Sequence, residues 1–363
     1  MALTGVSRRR FLQTLGMAVA GSSAPALAWA HSRPPLRLTI LQPAFAPAQA
    51  RAWLDGLRLA LHAEPAIEAE WLTPGAGLQA QFQAIAAAAA RGAEIIVTAL
   101  SPRVLDTAAR SLAAQSSLLF NLEAGAQRMN QASSQVYGHS LHLWQATAAL
   151  GLQGVQQYGP RAALLASFRE SGYDTTTAFH AGVELAGGVL MAQLVLGIPG
   201  TAWRDAQRAQ ELAASAADFT LVCAHGSELQ RLQQLSRGTR LQGPLPERGG
   251  AAPEAAFVRS FHSRNGYRPD AYALLGLEGG LLLADAAARR AEGLDLSAAL
   301  ASARVSGPRG ELAMDPQQRS TRAPAFVDLR GGRLPLSVID ETLVFGHQHW
   351  AGAVSGWTCV YTA

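Results

Sequence analysis

The sequence contains no lysine: all 30 of its basic residues are arginine, set against 26 acidic residues. The formal net charge of +4 is small for 363 residues, and only 15% of the residues are charged. The arginines are scattered along the chain and do not form a basic stretch. A nucleic-acid-binding protein usually carries a basic patch or stripe. This charge pattern therefore argues against nucleic acid as a partner.

Cysteine is scarce as well, since the chain has two, Cys223 and Cys359. An exported protein can form a disulfide, but a single pair in a chain of this length is not a disulfide framework. Two buried thiols fit the sequence as well as one bridge does. The sequence leaves the choice between these states open.

The common catalytic motifs are missing too. The sequence has no GxSxG nucleophile motif, no phosphate-binding P-loop and no HExxH zinc motif. Two histidine pairs, His139 with His142 and His347 with His349, have spacings that a metal could use. No carboxylate or thiol cluster accompanies either pair, so we expect surface or helix-capping histidines and no metal site. These absences favour a binding protein without a cofactor over an enzyme.

The first 30 residues have the features of an export signal. Residues 7–13 (SRRRFLQ) match the twin-arginine pattern, residues 15–27 are largely apolar, and residues 28–30 (AWA) form a small-x-small cleavage site. A membrane anchor needs about 20 unbroken apolar residues, and glycine, serine and proline interrupt this stretch. We therefore expect a twin-arginine signal peptide over residues 1–30, removed near Ala30, and a soluble product in the periplasm.

Apolar, β-rich runs alternate with helix-like segments over most of the remaining chain. The predicted strands are residues 36–41, 67–72, 94–100, 117–121, 162–166, 189–196 and 219–224, and the predicted helices include residues 48–62, 78–91, 104–114, 141–158 and 205–214. This alternation predicts an α/β fold with mostly parallel sheets covered by helices. A long apolar helix over residues 271–292 and a hairpin turn at Gly331-Gly332 complete the pattern.

A polar loop follows the strand at residues 162–166. It spans residues 167–174 and reads SFRESGYD. In open parallel sheets, ligands bind at the edge where the carboxyl ends of the strands meet. This loop is therefore a candidate binding loop, and the loops after the other predicted strands share the same expected edge.

Several of these features occur in a characteristic order. They are the loop at 167–173, Gly187-Gly188 after the next helix, an aromatic helix at 257–267, the Pro269-Asp270 turn, the long helix at 272–287 and a hairpin at 310–315. Over residues 36–334 this order resembles the type I periplasmic substrate-binding proteins of ABC transporters, the Leu/Ile/Val-binding-protein-like family. The chain would be a divergent member, because residues 43–46 (PAFA) replace the usual Thr-Gly or Ser-Gly of the first ligand loop.

The resemblance implies a two-lobed periplasmic-binding-protein type I fold, in which each lobe is a mostly parallel sheet flanked by helices. Lobe 1 is expected to comprise residues 31–157 plus 271–321, and lobe 2 residues 158–270 plus 322–345. Hinge crossovers would then lie near residues 157, 270 and 322. Residues 346–363 form a C-terminal aromatic tail outside the resemblance.

In this family the ligand cleft is lined by strand-end loops from both lobes. The resemblance implies these ligand-binding candidates: Phe45, Ser101, Asn121, Glu123, Arg169, Tyr173, His225 and Glu278. Arg169 is expected to clamp a carboxylate, and Tyr173 to stack on the ligand or close over it. Helix capping by Ser101 and ordinary loop positions for the others remain alternatives. Because a buried lone carboxylate is costly, Glu278 is a candidate for contact with a cationic ligand group or an interlobe partner.

The resemblance implies an exported, monomeric solute-binding protein. It would capture a small polar ligand, such as an amino acid, by hinge closure and deliver it to an ABC permease. A sensing or adaptor module of the same fold is the alternative, since residues 121–137 also resemble relatives found beside quinoprotein alcohol dehydrogenase systems. A cofactor-bearing enzyme is a third hypothesis, because the twin-arginine route often carries folded proteins.

Overall fold

The computed structural model describes residues 33–44, 47–62, 64–75, 77–100, 102–112, 115–123, 133–167, 175–196, 204–223, 240–242, 252–317, 319–322, 326–329 and 332–335. The strands are β1 (Leu36–Leu41), β2 (Ile67–Leu72), β3 (Ile95–Thr98), β4 (Leu118–Glu123), β5 (Val136–Ser140), β6 (Arg161–Ser167), β7 (Val189–Leu196), β8 (Phe219–Cys223), β9 (Arg240–Gln242), β10 (Arg304–Gly307), β11 (Gly310–Asp315), β12 (Ser320–Thr321), β13 (Phe326–Leu329) and β14 (Gly332–Pro335). The helices are α1 (Pro47–Ala60), α2 (Leu78–Ala90), α3 (Pro102–Arg110), α4 (Leu143–Tyr158), α5 (Thr175–Leu185), α6 (Asp205–Ala214), α7 (Ala252–Asn265), α8 (Ala271–Ala291) and α9 (Leu296–Ala301).

The larger sheet has eight strands in the order β10-β11-β12-β5-β4-β3-β1-β2. Strands β1 to β5 are parallel, and β10 and β11 add an antiparallel edge. The central strands are nearly continuous apolar runs, as expected of parallel strands covered on both faces. Helices α1, α7, α8 and α9 pack in the core on one face, and α2 and α3 pack in the core on the other. This sheet and these helices are called the large half below.

The smaller sheet has four parallel strands in the order β7-β6-β8-β9. Leu150 of α4 and Phe179 of α5 pack in the core on one face, and Leu212 of α6 packs in the core on the other. This sheet and helices α4 to α6 are called the small half. Strands β13 and β14 form a separate antiparallel hairpin, in which Gly332 is already the first residue of β14 and pairs with Leu329. Gly331, the other residue of the predicted turn, lies outside the described residues.

The chain first passes between the halves within three residues. Strand β5 pairs with β4 in the larger sheet, and Leu141 packs in the core of the large half. Helix α4 starts at Leu143, and its Leu150 packs against strands of the small half. The first crossover is therefore Ser140–Leu141–His142, which is earlier in the chain than the expected crossover near residue 157.

A second packing result bears on the expected lobe boundary near residue 270. Phe257 and Phe261 of α7 lie in the core of the large half, against residues of α1 and α8. The chain has thus returned to the large half before α7 begins. Residues 243–251, which connect β9 to α7, lie outside the described residues.

Helix α8 is the central helix of the large half. It is 21 residues long, and by length and composition it could cross a membrane, but 78% of its most apolar window is buried inside the protein. A helix that is apolar on nearly all sides is typical of a protein core. Its first turn is capped by Asp270, whose Oδ1 accepts hydrogen bonds from the backbone N–H groups of Tyr272 and Ala273.

Glycine allows two pairs of helices to approach closely. A Cβ atom added to Gly276 of α8 would collide with the carbonyl oxygen of Trp53 in α1, and one added to Gly56 would collide with that of Ala273. Helices α4 and α5 make the equivalent contact in the small half, where a Cβ on Gly182 would collide with the carbonyl oxygen of Ala148. Each half therefore holds one pair of helices in backbone contact.

Candidate functional site

The candidate residues from the loops all come shortly after the end of a parallel strand. Strands β1, β3, β6 and β8 end at Leu41, Thr98, Ser167 and Cys223. Phe45, Ser101, Arg169, Tyr173 and His225 follow these ends in the chain and lie outside the described residues. The strand ends from which they continue are the carboxyl edges of the two sheets, where ligands bind in open α/β folds.

Asn121 serves the fold rather than an open site. Its side chain is 4% exposed in β4. Its Oδ1 accepts hydrogen bonds from Thr98 Oγ1 at 2.9 Å and from the backbone N–H of Leu100 at 2.7 Å, and its Nδ2 donates to the Leu100 carbonyl oxygen at 2.9 Å. Asn121 thus fixes the loop that leaves β3 and leads to Ser101. Asn121 would therefore affect a bound ligand only indirectly, by fixing the position of that loop.

Glu123 lies at the carboxyl edge of the larger sheet, the edge at which open α/β folds bind ligands. It is the last residue of β4 and is partly exposed. In the parallel register it pairs with Ser140, the last residue of β5. It therefore stands beside the first crossover and remains a candidate for contact with a ligand.

Glu278 is buried in the large half, and its carboxylate is held by residues of the same half. Its side chain is fully buried in α8. Arg309, from the turn between β10 and β11, donates from Nη2 to Oε2 at 2.6 Å and from Nε to Oε1 at 3.0 Å. The sequence predicted a cationic ligand group or an interlobe partner for Glu278, whereas its partner is Arg309 of the same half. The expected ligand contact is replaced by an internal ion pair, since no part of the carboxylate is exposed.

His139 completes the coordination of the Glu278 carboxylate. Its Nε2 lies 3.1 Å from Glu278 Oε2, and its Nδ1 lies 2.9 Å from Thr321 Oγ1. Because an ionised carboxylate only accepts hydrogen bonds, Nε2 carries the proton, and Nδ1 accepts from the threonine hydroxyl. Burial lowers the pKa of His139, while the hydrogen bond and charge of Glu278 oppose that shift. The charged pair is therefore Arg309 and Glu278, bridged to β12 by a neutral imidazole.

The charge balance keeps Glu278 ionised. Burial would raise the pKa of its carboxyl group, but the charge of Arg309 and the hydrogen bonds from His139 and Arg309 hold that pKa below its ordinary value of 4.5. A buried carboxylate with paired charge and filled acceptor sites is the arrangement that offsets desolvation. The four residues Glu278, Arg309, His139 and Thr321 are called the buried ion cluster.

His142 lies beside this cluster and corrects a further expectation. His139 and His142 are each 1% exposed, so the expected surface positions are wrong. His142 also occupies the residue before α4 without making a side-chain capping bond, so it is not a helix cap. Within the described residues, no group of three or more histidine, cysteine, aspartate or glutamate side chains could hold a metal ion. His347 and His349 lie outside those residues.

Little in the sequence points to Arg309. It follows Gly307-Pro308 in a tight turn, and a glycine-proline turn by itself predicts an exposed arginine. The signal that could have located it is the buried Glu278, which required a cation from some element packed on α8. Cys223 is 5% exposed at the end of β8, and because Cys359 lies outside the described residues, the question of a disulfide stays open.

Neither a family model nor a curated protein matches this sequence. Solved structures do match. An ABC transporter substrate-binding protein from Sphaerobacter thermophilus is 18% identical with a TM-score of 0.64, covering 79% of this chain and 91% of that chain. A solute-binding protein of an ABC transporter from R. palustris, in complex with benzoate, is 16% identical with a TM-score of 0.63, covering 83% and 94%.

A third solved structure is a leucine-, isoleucine-, valine-, threonine- and alanine-binding protein from Brucella ovis in a closed conformation. It is 15% identical with a TM-score of 0.63, and the match covers 83% of this chain and 94% of that chain. This chain has the two-lobed fold of the periplasmic binding proteins. The predicted fold class is thus confirmed; the large half and the small half are called the two lobes below.

Proposed function

We propose that this chain is an exported solute-binding protein, a divergent member of the Leu/Ile/Val-binding-protein-like family. It would capture a small organic ligand between its two lobes and deliver it to an ABC importer. The observation that carries the proposal is the arrangement of two parallel sheets joined by the three-residue crossover at Ser140–His142. Lobes joined by so short a segment can rotate about it, and closure around a ligand is the usual consequence.

Carboxylic acids are the ligand class that we propose. One of the similar solved structures is in complex with benzoate, and another is named as a binding protein for five amino acids. Both kinds of molecule present a carboxylate. Arg169 follows β6 by two residues, and a guanidinium there would form two parallel hydrogen bonds with a carboxylate. Glu123, at the carboxyl end of β4, would suit the ammonium group of an amino acid and would disfavour benzoate. The ligand preference therefore depends on which of these two side chains contacts the solute.

The export signal supports a periplasmic location. Residues 7–13 carry the arginine pair and residues 28–30 carry the cleavage site, so that the mature chain would begin near residue 31 and act in the periplasm. Its partners would be the ligand and a permease, with the chain acting as a monomer. Sensing by an adaptor of the same fold is the alternative outcome if no permease recognises the loaded protein.

The test begins with native mass spectrometry of the chain purified from the periplasm. A retained small molecule that is released on denaturation is the expected result. Leucine, benzoate and 4-hydroxybenzoate are then added to the emptied protein, and binding is measured by calorimetry. A chain that retains nothing and that none of these carboxylates stabilises against heat would contradict solute capture.

A pair of arginine variants locates the carboxylate contact. Arg169→Gln is expected to weaken carboxylate binding about 10- to 100-fold, because a charge-assisted hydrogen bond contributes about 1.5–3 kcal/mol. Arg161→Gln is the matched control, since Arg161 begins the same strand at the opposite end and pairs with Asp218. Equal affinities for both variants would place the carboxylate elsewhere.

A further inference from the structure

The first crossover contains a residue with an unusual backbone conformation. His142 has φ 55° and ψ 38°, in the left-handed region. Few residues other than glycine adopt this region, and those that do are enriched at functional positions held in place by their surroundings. His142 is the last residue before α4, at the point where the chain leaves the large half. Rotation of the lobes about this crossover must change dihedral angles at or beside it.

The side chain of His142 is unusual as well. The ring is buried, and neither of its nitrogens makes a well-formed hydrogen bond with the described residues; its contact with the backbone of Thr321 in β12 is weak. A buried polar group without a partner is destabilising, and native structures contain few. One residue therefore combines a left-handed backbone with a poorly satisfied imidazole. Water would satisfy both ring nitrogens if the ring left its buried position.

The groups around His142 come from four elements. Burial lowers the pKa of His142 most, and the charge of Arg309 in the β10–β11 turn lowers it further; His139 of β5 would do so only when protonated. Glu278 of α8 and the backbone of Thr321 in β12 act in the opposite direction and are weaker. The pKa of His142 is therefore well below 6.5, and the ring is neutral in this conformation.

The buried ion cluster also forms hydrogen bonds with the backbone of the crossover. Arg309 donates from Nη1 to the carbonyl oxygen of Leu141 at 3.0 Å and from Nη2 toward that of Ser140 at 3.5 Å. The hydroxyl of Ser140 accepts the backbone N–H of His142 at 3.0 Å. One guanidinium thus joins α8, through Glu278, to the two residues that precede the left-handed His142.

We propose that His142 is the pivot of lobe motion and that Arg309, anchored on Glu278, is the clamp that holds this pivot in its left-handed, buried conformation. This proposal rests on the proposed function, because it assumes that the lobes change their arrangement. In the other arrangement the crossover leaves the clamp, the backbone of His142 relaxes, and its ring enters solvent. His142 and Arg309 are positioning residues and do not contact the ligand.

The proposal makes the arrangement of the lobes dependent on pH. In solvent the ring would have the ordinary histidine pKa of about 6.5, whereas in the clamp its pKa is far lower. Below pH 6.5 the released ring binds a proton that the clamped ring does not. The ratio of released to clamped protein should therefore rise by up to about tenfold for each pH unit below 6.5. Above pH 7 it should be constant.

The test is small-angle X-ray scattering of the mature chain without added ligand, from pH 8.0 to pH 5.0. The wild-type scattering profile is expected to change from one curve to another below pH 6.5. His142→Asn should keep the high-pH curve throughout, because asparagine tolerates the left-handed region and does not titrate. His142→Gly should broaden the distribution of lobe arrangements at every pH, since glycine adopts many more backbone conformations at the crossover.

His180→Asn is the matched control, because it removes a partly exposed histidine of α5 in the small half and should leave the wild-type response intact. The proposal is overturned if His142→Asn still shows the wild-type response, or if the wild-type profile does not change with pH. Retention of a ligand is measured separately, so these outcomes do not depend on it. A pH-independent protein that binds a carboxylate would refute the pivot and leave the proposed function standing.

Discussion

The two lobes pack a pair of helices in the same way, but they differ in whether an ion pair is buried beside those helices. Each half holds two helices in backbone contact through glycine, α1 with α8 in the large half and α4 with α5 in the small half. The large half adds the buried ion cluster between α8 and the β10–β11 turn. In the small half, the Arg161–Asp218 ion pair lies at the surface, with the arginine side chain 52% exposed.

The difference shows where a buried charge is useful. An ion pair in a core adds little net stability compared with apolar residues of the same size, so the cluster is poorly explained as a stabilising device. Its position beside the crossover explains it better, because hydrogen bonds fix the direction of a backbone segment more sharply than apolar contacts do. Glycine contacts determine how closely the helices pack, and the ion cluster determines the conformation of the segment that joins the lobes.

The largest expected effect comes from breaking the ion pair on one side. Arg309→Met leaves Glu278 buried without its cation, and the free energy of unfolding should fall by about 3–5 kcal/mol. Denaturation with urea, followed by circular dichroism, measures it. Arg161→Met removes the surface arginine of the small half and should have little effect.

A double variant distinguishes the contribution of the Glu278–Arg309 ion pair to stability from the cost of leaving one of its charges buried alone. Replacing both residues, as Glu278→Leu with Arg309→Met, removes the buried charge altogether and should recover most of the lost stability. If the double variant were as unstable as Arg309→Met alone, the loss would come from the contacts of Arg309 with the crossover backbone. If Arg161→Met were as damaging as Arg309→Met, the contrast between the lobes would be wrong.

The second-largest expected effect comes from the glycine-mediated helix contact that both lobes have. Gly276→Ala in α8 and Gly182→Ala in α5 should each lower the free energy of unfolding by about 1–3 kcal/mol, because the added methyl group meets a backbone carbonyl that cannot move independently. Alanine is the better helix former by about 1 kcal/mol, so that a net loss identifies the collision. Thermal unfolding is the measurement.

The control for both glycines is Gly75→Ala. Its added Cβ would meet the Ala80 side chain at an ordinary 3.4 Å, and no change in stability is expected. A large-half variant that loses far more than its small-half counterpart would show that the two helix contacts are not equivalent. Equal losses would confirm that each lobe depends on its own pair.

The general fold could be predicted from the sequence because its strands are long, apolar runs. Strands β1, β4 and β7 each follow the alternation of apolar runs and helices, and their positions agree with those predicted. Strands β5 and β12 were not predicted. Strand β5 (VYGHS) is short and polar, and β12 has two residues. Their pairing depends on partners distant in the sequence, which local patterns do not reveal.

The candidate site was less predictable for a related reason. Glu278 could be singled out, since a carboxylate among leucines must be paired. Its partner could not, because Arg309 reaches it only through the folding of the β10–β11 turn back onto α8. His139 and His142 were expected at the surface for the same reason. A short polar segment gives no sign that it will be covered.

A third effect distinguishes the lobes by pH. His139 and His142 are buried in the large half with lowered pKa values, and both would bind protons once unfolded. The unfolded state therefore binds more protons below pH 6.5, and each histidine that stays in its buried conformation should lower the free energy of unfolding by roughly 1 kcal/mol between pH 6.5 and pH 5.5. Urea denaturation at several pH values measures this slope.

His142→Asn should reduce that slope, and the control His180→Asn should not, because His180 is partly exposed in the small half. The two variants need only be compared between pH 7.5 and 5.5. In this range Glu278 stays ionised, since its pKa is held below 4.5. A slope that is identical in all three proteins would mean that His142 binds a proton as readily in the folded state as in the unfolded state.

The smallest expected effect concerns the start of α8, the helix that carries both Gly276 and Glu278. Asp270→Ala removes the acceptor for two backbone N–H groups and should lower the free energy of unfolding by about 1 kcal/mol, whereas Asp270→Asn should retain most of the stability. Asp270 lies about two helical turns away from Glu278. The dependence of the free energy of unfolding on pH should therefore be unchanged in Asp270→Ala. If Asp270→Ala also altered that slope, the position of α8, and not the ion cluster alone, would control the protonation of the crossover.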